Sequence, residues 1–431
     1  MRMTLPMIKP LIFMSSLLLW PMLAHAQTTE PAPPSLSDRV TEAAKANRYR
    51  IEKSGDIFSG DGWDRLLAEG RQSQFFLLGE EHGIAENPQL AAALFTDLSE
   101  SGYSRFAIEV SPFMAARMDD ALAEGGLDGL KELFAEPGGQ PAFFGMAEEA
   151  EMLATVRGNL ADAPDVLWGT DYEVLGDRQM LRALEAMPKP EAAAVALSAL
   201  RAESDAGWAK YEETRSPQFV FSFSGDPQRV RDVEAAWLDR SVDAAWILDQ
   251  IEETLEINRL FVTGQNFASN KRRADHLVAN FLRHWRVELA DGRSPEPRVF
   301  AKYGASHLVR GRNSNGVFDL GTTLPELAAL EGRPSVSLFV LPGQGSSVAV
   351  FDPTAMTFRD GAPKDGYGAG MGPLYDAAFD SGYTLIDLRP LRAVLTRTTD
   401  PDLVALARTI HGFDYVLIMT GSTPSSALLV E

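Results

Sequence analysis

Two histidines of this sequence each follow an apolar run and stand last in a Gly-x-x-His segment. His82 closes the segment GEEH after the run FFLL, and His307 closes the segment GASH after the run RVFAKY. A neutral imidazole, whose reference pKa is about 6.5, accepts a proton from water near neutral pH. The pattern predicts that both histidines are catalytic and that one of them is a general base for water.

Two carboxylates are placed to orient such a base. Glu80 lies two positions before His82, and Glu109 lies near the end of the apolar run RFAIEV. Burying an unpaired carboxylate is costly, so Glu109 requires a cationic, metal or histidine partner. We therefore predict Glu80 and Glu109 as further catalytic residues. Glu81 points the other way if the chain stays extended, which predicts a structural role.

The same side chains allow a second chemistry, in which a metal ion activates water. His82, His307 and Glu109 supply mixed nitrogen and oxygen ligands, which suit zinc, manganese or iron. The chain contains no cysteine, which excludes disulfides, thiolate chemistry and cysteine-type zinc sites. No Gly-x-Ser-x-Gly segment is present, which disfavours a nucleophilic serine. The metal-free and metal-assisted alternatives both stay open at this point.

Eight short apolar runs, separated by longer helical segments, position these residues. The runs are near-continuously hydrophobic, which is typical of parallel strands covered on both faces by helices. We predict an α/β fold with a mostly parallel sheet, whose sites form at the carboxyl ends of the strands. The predicted strands are residues 75–78, 105–110, 165–169, 260–264, 298–304, 335–342, 383–388 and 414–419.

One long segment lacks clear strands and is rich in alanine and charge, which predicts a helical insertion between two strands. The first residues of the chain instead have the parts of a secretory signal peptide. The predicted division is a signal peptide (1–26), an N-terminal extension (27–60), the first part of the α/β core (61–176), the helical insertion (177–258) and the second part of the core (259–431).

The signal peptide predicts an exported protein. Arg2 and Lys9 form its basic part, the run LIFMSSLLLWPML its apolar part, and residues 24–26 a small-x-small cleavage site. The apolar run is short for a membrane span of roughly 20 residues. We expect cleavage after residue 26, no integral membrane span in the mature chain, and a periplasmic or secreted location.

The chain is strongly acidic, with 60 Asp and Glu against 40 Lys and Arg and a formal net charge of −20. Cleavage of the signal peptide removes Arg2 and Lys9, so the charge of the mature chain is −20 − 2 = −22. A surface of this charge repels nucleic acid and anionic lipid. We therefore expect a small-molecule substrate and no nucleic-acid partner, while the oligomeric state stays undetermined.

In their order along the chain, these motifs resemble those of the superfamily that joins erythromycin esterases, ChaN-like haem-binding uptake proteins and Tiki (TraB) proteases. Two Gly-x-x-His segments on one α/β sheet are the shared feature. LLGEEHG and FAIEV are similar to the first two strand motifs, and WGTD is similar to a segment of the esterase branch. RADHLVAN resembles a helix pattern of that branch, and Glu86 resembles one of its glutamates.

The resemblance implies an exported hydrolase of the erythromycin-esterase-like class that attacks an ester, lactone or amide with activated water. Under this hypothesis the substrate-binding residues are Asp171, Arg273, Lys302 and Glu86. The haem-uptake relatives imply an alternative, a periplasmic haem or iron carrier. The protease relatives imply another, a Tiki-like metalloprotease.

Overall fold

The computed structural model describes residues 34–142, 144–290, 292, 297–363 and 370–429. Contacts between residues divide the chain into two units, Met1–Ser35 and Leu36–Glu431. Only residues 34 and 35 of the first unit are described, and the predicted signal peptide lies outside the described residues. All the elements below belong to the second unit.

The described part of the chain contains eleven strands. Nine of them form one sheet and two form a separate hairpin. The strands are β1 (Arg48–Ser54), β2 (Ile57–Ser59), β3 (Phe75–Glu80), β4 (Tyr103–Ile108), β5 (Leu167–Gly169), β6 (Arg298–Gly304), β7 (Ser335–Pro342), β8 (Val348–Asp352), β9 (Thr357–Gly361), β10 (Tyr383–Asp387) and β11 (Tyr415–Met419).

Fourteen α-helices accompany the strands within the described ranges. None of them is long and apolar enough to cross a membrane. The helices are α1 (Leu36–Ala46), α2 (Asp61–Gln72), α3 (Glu86–Ser99), α4 (Pro112–Ala135), α5 (Ala147–Asn159), α6 (Asp177–Ala186), α7 (Glu191–Thr214), α8 (Phe221–Ser224), α9 (Pro227–Ala236), α10 (Val242–Val262), α11 (Asn266–Ala290), α12 (Leu320–Leu330), α13 (Gly372–Tyr375) and α14 (Pro401–Gly412).

The large sheet has the order β2-β1-β10-β11-β7-β3-β6-β4-β5. The six strands from β11 to β5 are parallel to their neighbours, whereas β10 is antiparallel to β1 and β11 and β2 is antiparallel to β1. The predicted α/β fold with a mostly parallel sheet is confirmed. Strands β1 and β2 lie in the predicted N-terminal extension. They were not predicted as strands, because the sequence of β1, RYRIEKS, is too polar to resemble a buried strand.

The predicted strand at residues 260–264 is wrong. Its apolar part is the last turn of α10, where the side chains of Phe261 and Val262 are 54% and 55% exposed. A short apolar run does not by itself distinguish a strand from the end of a helix. The helices α6 to α11 therefore follow one another without a strand, and the next described strand, β6, begins at Arg298.

The sheet is buried on both faces, which explains the continuous apolar runs. In β3, Phe76 and Leu78 pack into one core cluster, and Phe75 and Leu77 pack into another. Successive side chains of a strand point to opposite faces, so both faces need apolar residues when both are covered. The helices from α6 to α10 enclose a third cluster, which makes them a separate helical lobe.

Candidate active site

Polar residues converge at the carboxyl edge of four neighbouring parallel strands. Glu80 ends β3, Gly304 ends β6, Glu109 directly follows β4, and Asp171 lies two residues after β5. The order β3-β6-β4-β5 makes these strands neighbours in the sheet. Because parallel strands end at one edge, residues that are distant in sequence meet there.

His82 lies between two carboxylates. Its Nδ1 lies 3.0 Å from Glu80 Oε1, and its Nε2 lies 3.3 Å from Glu109 Oε2. Burial alone lowers the pKa of an imidazole, but Glu109 and Glu80 outweigh it and raise the pKa of His82 to about 9. With 20% of its side chain exposed, His82 remains accessible from the cavity described below.

His307 is held in the same way from the other side. Its Nε2 lies 3.3 Å from Glu109 Oε1, and its Nδ1 lies 2.8 Å from Asp319 Oδ2. Burial opposes protonation, but the charges of Glu109 and Asp319 prevail and raise the pKa of His307 to about 10. Both histidines are therefore imidazolium ions at neutral pH.

Glu109 is the centre of the cluster. Besides the two histidines it accepts hydrogen bonds from Arg273 Nη2 at 2.8 Å and from the backbone N–H of Gly304 at 2.6 Å. Burial raises the pKa of a carboxyl group, but His307 and His82 hold the pKa of Glu109 well below its usual range. Its charge is thus fully compensated by four neighbours, as the cost of burying it requires.

The glycine of the second Gly-x-x-His segment permits this close approach. A Cβ atom added at Gly304 would lie 3.1 Å from His82 Nε2 and 3.2 Å from Glu109 Oε2. Both distances are tighter than ordinary carbon contacts, so a side chain at this position would require His82 and Glu109 to shift by a few tenths of an ångström. The absence of a side chain at Gly304 thus suits the close packing of the cluster.

Arg273 joins α11 to the strand ends. Its Nε and Nη2 donate to the two carboxylate oxygens of Asp171 at 3.0 and 2.5 Å, and its guanidinium lies 5.0 Å from the ring centre of Tyr172. Two parallel hydrogen bonds of this kind are the strong form of an arginine–carboxylate pair. Arg273 thus neutralises Asp171 and Glu109 together.

A buried lysine lies behind Glu80. Lys302 Nζ is 2.6 Å from Glu80 Oε1 and 2.7 Å from Glu149 Oε1. Burial raises the pKa of Glu149 to about 7, although the charge of Lys302 opposes that shift. The second oxygens of Glu80 and Glu149 have no hydrogen-bond partner among the described residues.

These contacts form one chain of alternating acidic and basic side chains. Each cation lies between two carboxylates, so a change of charge at one position alters the protonation of its neighbours. Such a chain holds the histidines in fixed orientations and tunes their basicity. Its members in order are Asp319, His307, Glu109, His82, Glu80, Lys302 and Glu149.

Two of the four residues predicted to bind substrate do not line the cavity. Glu86 is buried and accepts hydrogen bonds from the backbone N–H and hydroxyl of Thr423, both at 2.9 Å, so it holds the C-terminal segment against α3. Lys302 is 1% exposed and lies behind Glu80. Asp171 and Arg273 do line the cavity, and the substrate-binding roles of all four residues stay predictions.

Asp319 and Glu149 belong to the cluster but were not predicted from the sequence. Asp319 is the N-cap of α12, and an aspartate before an apolar helix is a recognisable cap signal. The sequence contains no comparable signal for the contact of Asp319 with His307. Glu149 lies in α5, 153 residues from Lys302, and the only hint was that a lysine inside an apolar strand needs carboxylate partners.

The predicted metal ligands His82, His307 and Glu109 lie side by side, since both histidines contact the Glu109 carboxylate. Nε2 of His82 lies 3.3 Å from one oxygen of Glu109, and Nε2 of His307 lies 3.3 Å from the other. Within the described ranges, no three His, Cys, Asp or Glu side chains are arranged to hold a metal ion. Binding of zinc, manganese or iron by His82, His307 and Glu109 stays a prediction.

A cavity of about 540 Å³ opens over the cluster. Its volume is in the range that accommodates a small-molecule ligand. His82, His307 and Arg273 line one part of it with the neighbouring carboxylates, and residues of the hairpin β8–β9 line another part. Titratable groups and an apolar surface thus share one cavity.

Known structures with this fold were found by comparison of the coordinates. A Bacillus cereus protein matches with 15% identity over 91% of this chain and 100% of its own, at a TM-score of 0.57. A succinoglycan biosynthesis protein matches with 12% identity over 92% and 100% of the two chains, at 0.57. A mutant of the erythromycin esterase EreC in its open conformation matches with 16% identity over 89% and 100%, at 0.59.

At these identities the likeness shows the fold. No protein-family model matches the chain, and no curated protein sequence matches it. The structural match covers the whole of the erythromycin esterase chain and 89% of this chain. The resemblance to erythromycin esterases predicted from the ordered motifs is confirmed at the level of the fold.

Proposed function

We propose that this protein is an exported hydrolase of the erythromycin-esterase-like class that cleaves an ester, lactone or amide with water activated by His82. The observation that carries the proposal is the position of His82, held between the carboxylates of Glu80 and Glu109 and partly exposed to the cavity. A histidine oriented by carboxylates beside a substrate-sized cavity is the arrangement of a general base.

Neutral His82 is the base in the proposed reaction. Glu80 accepts the hydrogen bond from Nδ1–H, which leaves Nε2 as the basic nitrogen. The contact of Nε2 with Glu109, at 3.3 Å, is long for a hydrogen bond, so a water molecule replaces it at little cost. As the water oxygen bonds to the carbonyl carbon, its proton moves to Nε2.

The same histidine completes the reaction as an acid. The imidazolium gives its proton to the leaving oxygen or nitrogen while the bond from that atom to the carbonyl carbon breaks. His307 and Arg273 line the cavity as cations and stabilise the negative charge that develops on the carbonyl oxygen. The products are a carboxylic acid and an alcohol or amine.

Replacement of His82 by alanine tests the proposal. We expect His82→Ala to lower kcat by about 10²–10⁴-fold, the usual contribution of a positioned acid–base group. Wild type and variant are assayed on a panel of esters, lactones and amides. His411→Ala is the matched control, since His411 lies in α14, contacts the carbonyl of Leu395 and does not line the cavity.

Full activity of a correctly folded His82→Ala would remove this residue from the mechanism. Far-ultraviolet circular dichroism and the melting temperature establish whether the variant is folded. The export part of the proposal has its own measurement, in which fractionated cells are probed for a mature chain that begins at residue 27. Protein retained in the cytoplasm with an intact N-terminus would contradict export.

A further inference from the structure

The hairpin β8–β9 lies outside the nine-stranded sheet and has no part in the reaction proposed above. Its apolar residues nevertheless line the same cavity as His82. The side chains of Phe351 and Phe358 are only partly buried. Partly exposed apolar surface inside a cavity is typical of a ligand contact.

The hairpin is fixed at both ends. At its base, the backbone N–H of Ala349 donates to the carbonyl of Gly83, the residue after His82, at 2.7 Å. At its tip, the hydroxyl of Tyr211 in the helical lobe donates to the carbonyl of Thr354 at 3.0 Å. The hairpin therefore extends from the turn that bears His82 to the helical lobe, in a defined position.

Phe351 and Phe358 form a pair on one face of this hairpin. They are directly opposite each other in the two strands, with ring centres 5.3 Å apart, and both line the cavity. Arg359, the next residue, points to the other face because side chains alternate along a strand. Its side chain is 71% exposed and lies 3.8 Å from Asp352.

The position of the pair relative to His82 follows from the geometry of a strand. Phe351 lies two residues beyond Ala349, which is about 7 Å along the strand at roughly 3.4 Å per residue. The backbone of Ala349 is hydrogen-bonded to Gly83, the residue after His82. The two phenylalanines therefore lie within the length of a medium hydrocarbon chain from the turn that carries His82. A small acyl group bound at His82 does not reach them.

The charge of the cavity restricts the substrate further. Five carboxylates line it against Arg273 and the two histidines, and Arg273 is already paired with Asp171 and Glu109. Each cation that lines the cavity already lies beside carboxylates, so an anionic substituent gains no uncompensated positive charge there. The lining carboxylates are those of Glu80, Glu81, Glu109, Asp171 and Glu173.

We propose that Phe351 and Phe358 bind an apolar chain or ring of an uncharged substrate whose reacting carbonyl lies at His82. The placement of the carbonyl rests on the proposed hydrolase function, whereas the apolar contact does not. The two aromatic residues are thus specificity-determining, and they favour esters with a long apolar group on either side of the carbonyl.

Three esters test this proposal, namely methyl acetate, methyl octanoate and octyl acetate, with acid release followed in a pH-stat. We expect wild-type kcat/KM to be higher for methyl octanoate, for octyl acetate or for both than for methyl acetate. In Phe351→Ala and Phe358→Ala this advantage falls by about tenfold or more, because contact area with the chain is lost. Methyl acetate is hydrolysed as before, and Arg359→Ala, on the other face of the hairpin, behaves as wild type.

Binding of the neutral fluorescent probe N-phenyl-1-naphthylamine separates the two proposals. Probe binding that persists in His82→Ala and is lost in Phe358→Ala supports the apolar site, even if no ester is hydrolysed and the hydrolase proposal fails. Equal loss of all three ester activities in the phenylalanine variants, or unchanged probe binding in them, would overturn the apolar site. Circular dichroism confirms that each variant is folded.

Discussion

The substitution Glu80→Gln tests the electrostatic account of His82 directly, since it removes a negative charge 3.0 Å from Nδ1 and keeps the size of the side chain. The pKa of His82 is about 9 against an ordinary value of 6.5, a difference that corresponds to about 3 kcal/mol in favour of the protonated form. At pH 7 only about 1% of His82 is therefore neutral. A reaction that uses neutral His82 accelerates about tenfold per pH unit until the pH reaches about 9.

In Glu80→Gln the pKa of His82 falls from about 9 toward 6.5, because one of the two carboxylates that raise it is gone. We expect the break in the profile of kcat/KM against pH to move to lower pH. The variant then retains a larger share of its plateau activity at pH 7 than the wild type does. The assay is kcat/KM on the best ester from pH 5 to 10, with the imidazole titrated independently by NMR.

The control is Glu213→Gln, which removes a carboxylate that is 68% exposed on α7. We expect its profile to match that of the wild type. An unchanged break in a folded Glu80→Gln would show that Glu80 does not set the pKa of His82. A wild-type rate that falls as the pH approaches 9 would refute the base role and make protonated His82 the working form.

Three further perturbations follow from the same contacts. Gly304→Ala places a Cβ 3.1 Å from His82 Nε2, so we expect a loss of activity much greater than the loss of melting temperature; equal activity would show that the cluster tolerates a side chain there. Lys302→Met leaves two buried carboxylates without their cation and should lower the free energy of unfolding in urea by about 3–5 kcal/mol. A loss below about 1 kcal/mol would contradict this account of the buried pair. Asp319→Asn keeps the helix cap but weakens the ion pair of His307, so we expect its urea stability to fall by about 2 kcal/mol at pH 6. Because the folded pKa of His307, about 10, exceeds its unfolded value near 6.5, that difference is fully present below pH 6.5 and is lost as the pH rises through about 10; a difference that persists at pH 11 would contradict the ion-pair explanation.

The four catalytic residues predicted from the sequence meet in the structure because of the topology of the sheet. Glu80, His82, Glu109 and His307 all lie at or just after the ends of β3, β4 and β6, which are neighbours and parallel. A continuous apolar run that ends in polar residues is a local signal, so it is visible without coordinates. The order of the strands is not local, and it decides which ends are adjacent.

Local sequence patterns do not predict secondary structure where a helix and a strand share the same pattern. The run at residues 260–264 ends a helix whose last turn is exposed, and its composition does not differ from that of a buried strand. Conversely, β1 pairs with β10 near one side of the sheet, where few residues of β1 are buried. Its polar sequence therefore does not predict a strand. The hairpin β8–β9 is likewise a small two-stranded sheet that the apolar runs did not predict.

Composition and local pattern alone determined the fold class, the acidic charge of the chain and the residue types available for chemistry, because burial on both faces of a parallel sheet imposes continuous apolar runs. Only the tertiary structure decided what those residues do to one another. It brought Glu149 to Lys302 and Asp319 to His307, and it directed both histidines at one carboxylate. The physical reason is that pKa values and ligand geometry depend on distances of a few ångströms between side chains on different elements, and strand order and helix packing set those distances.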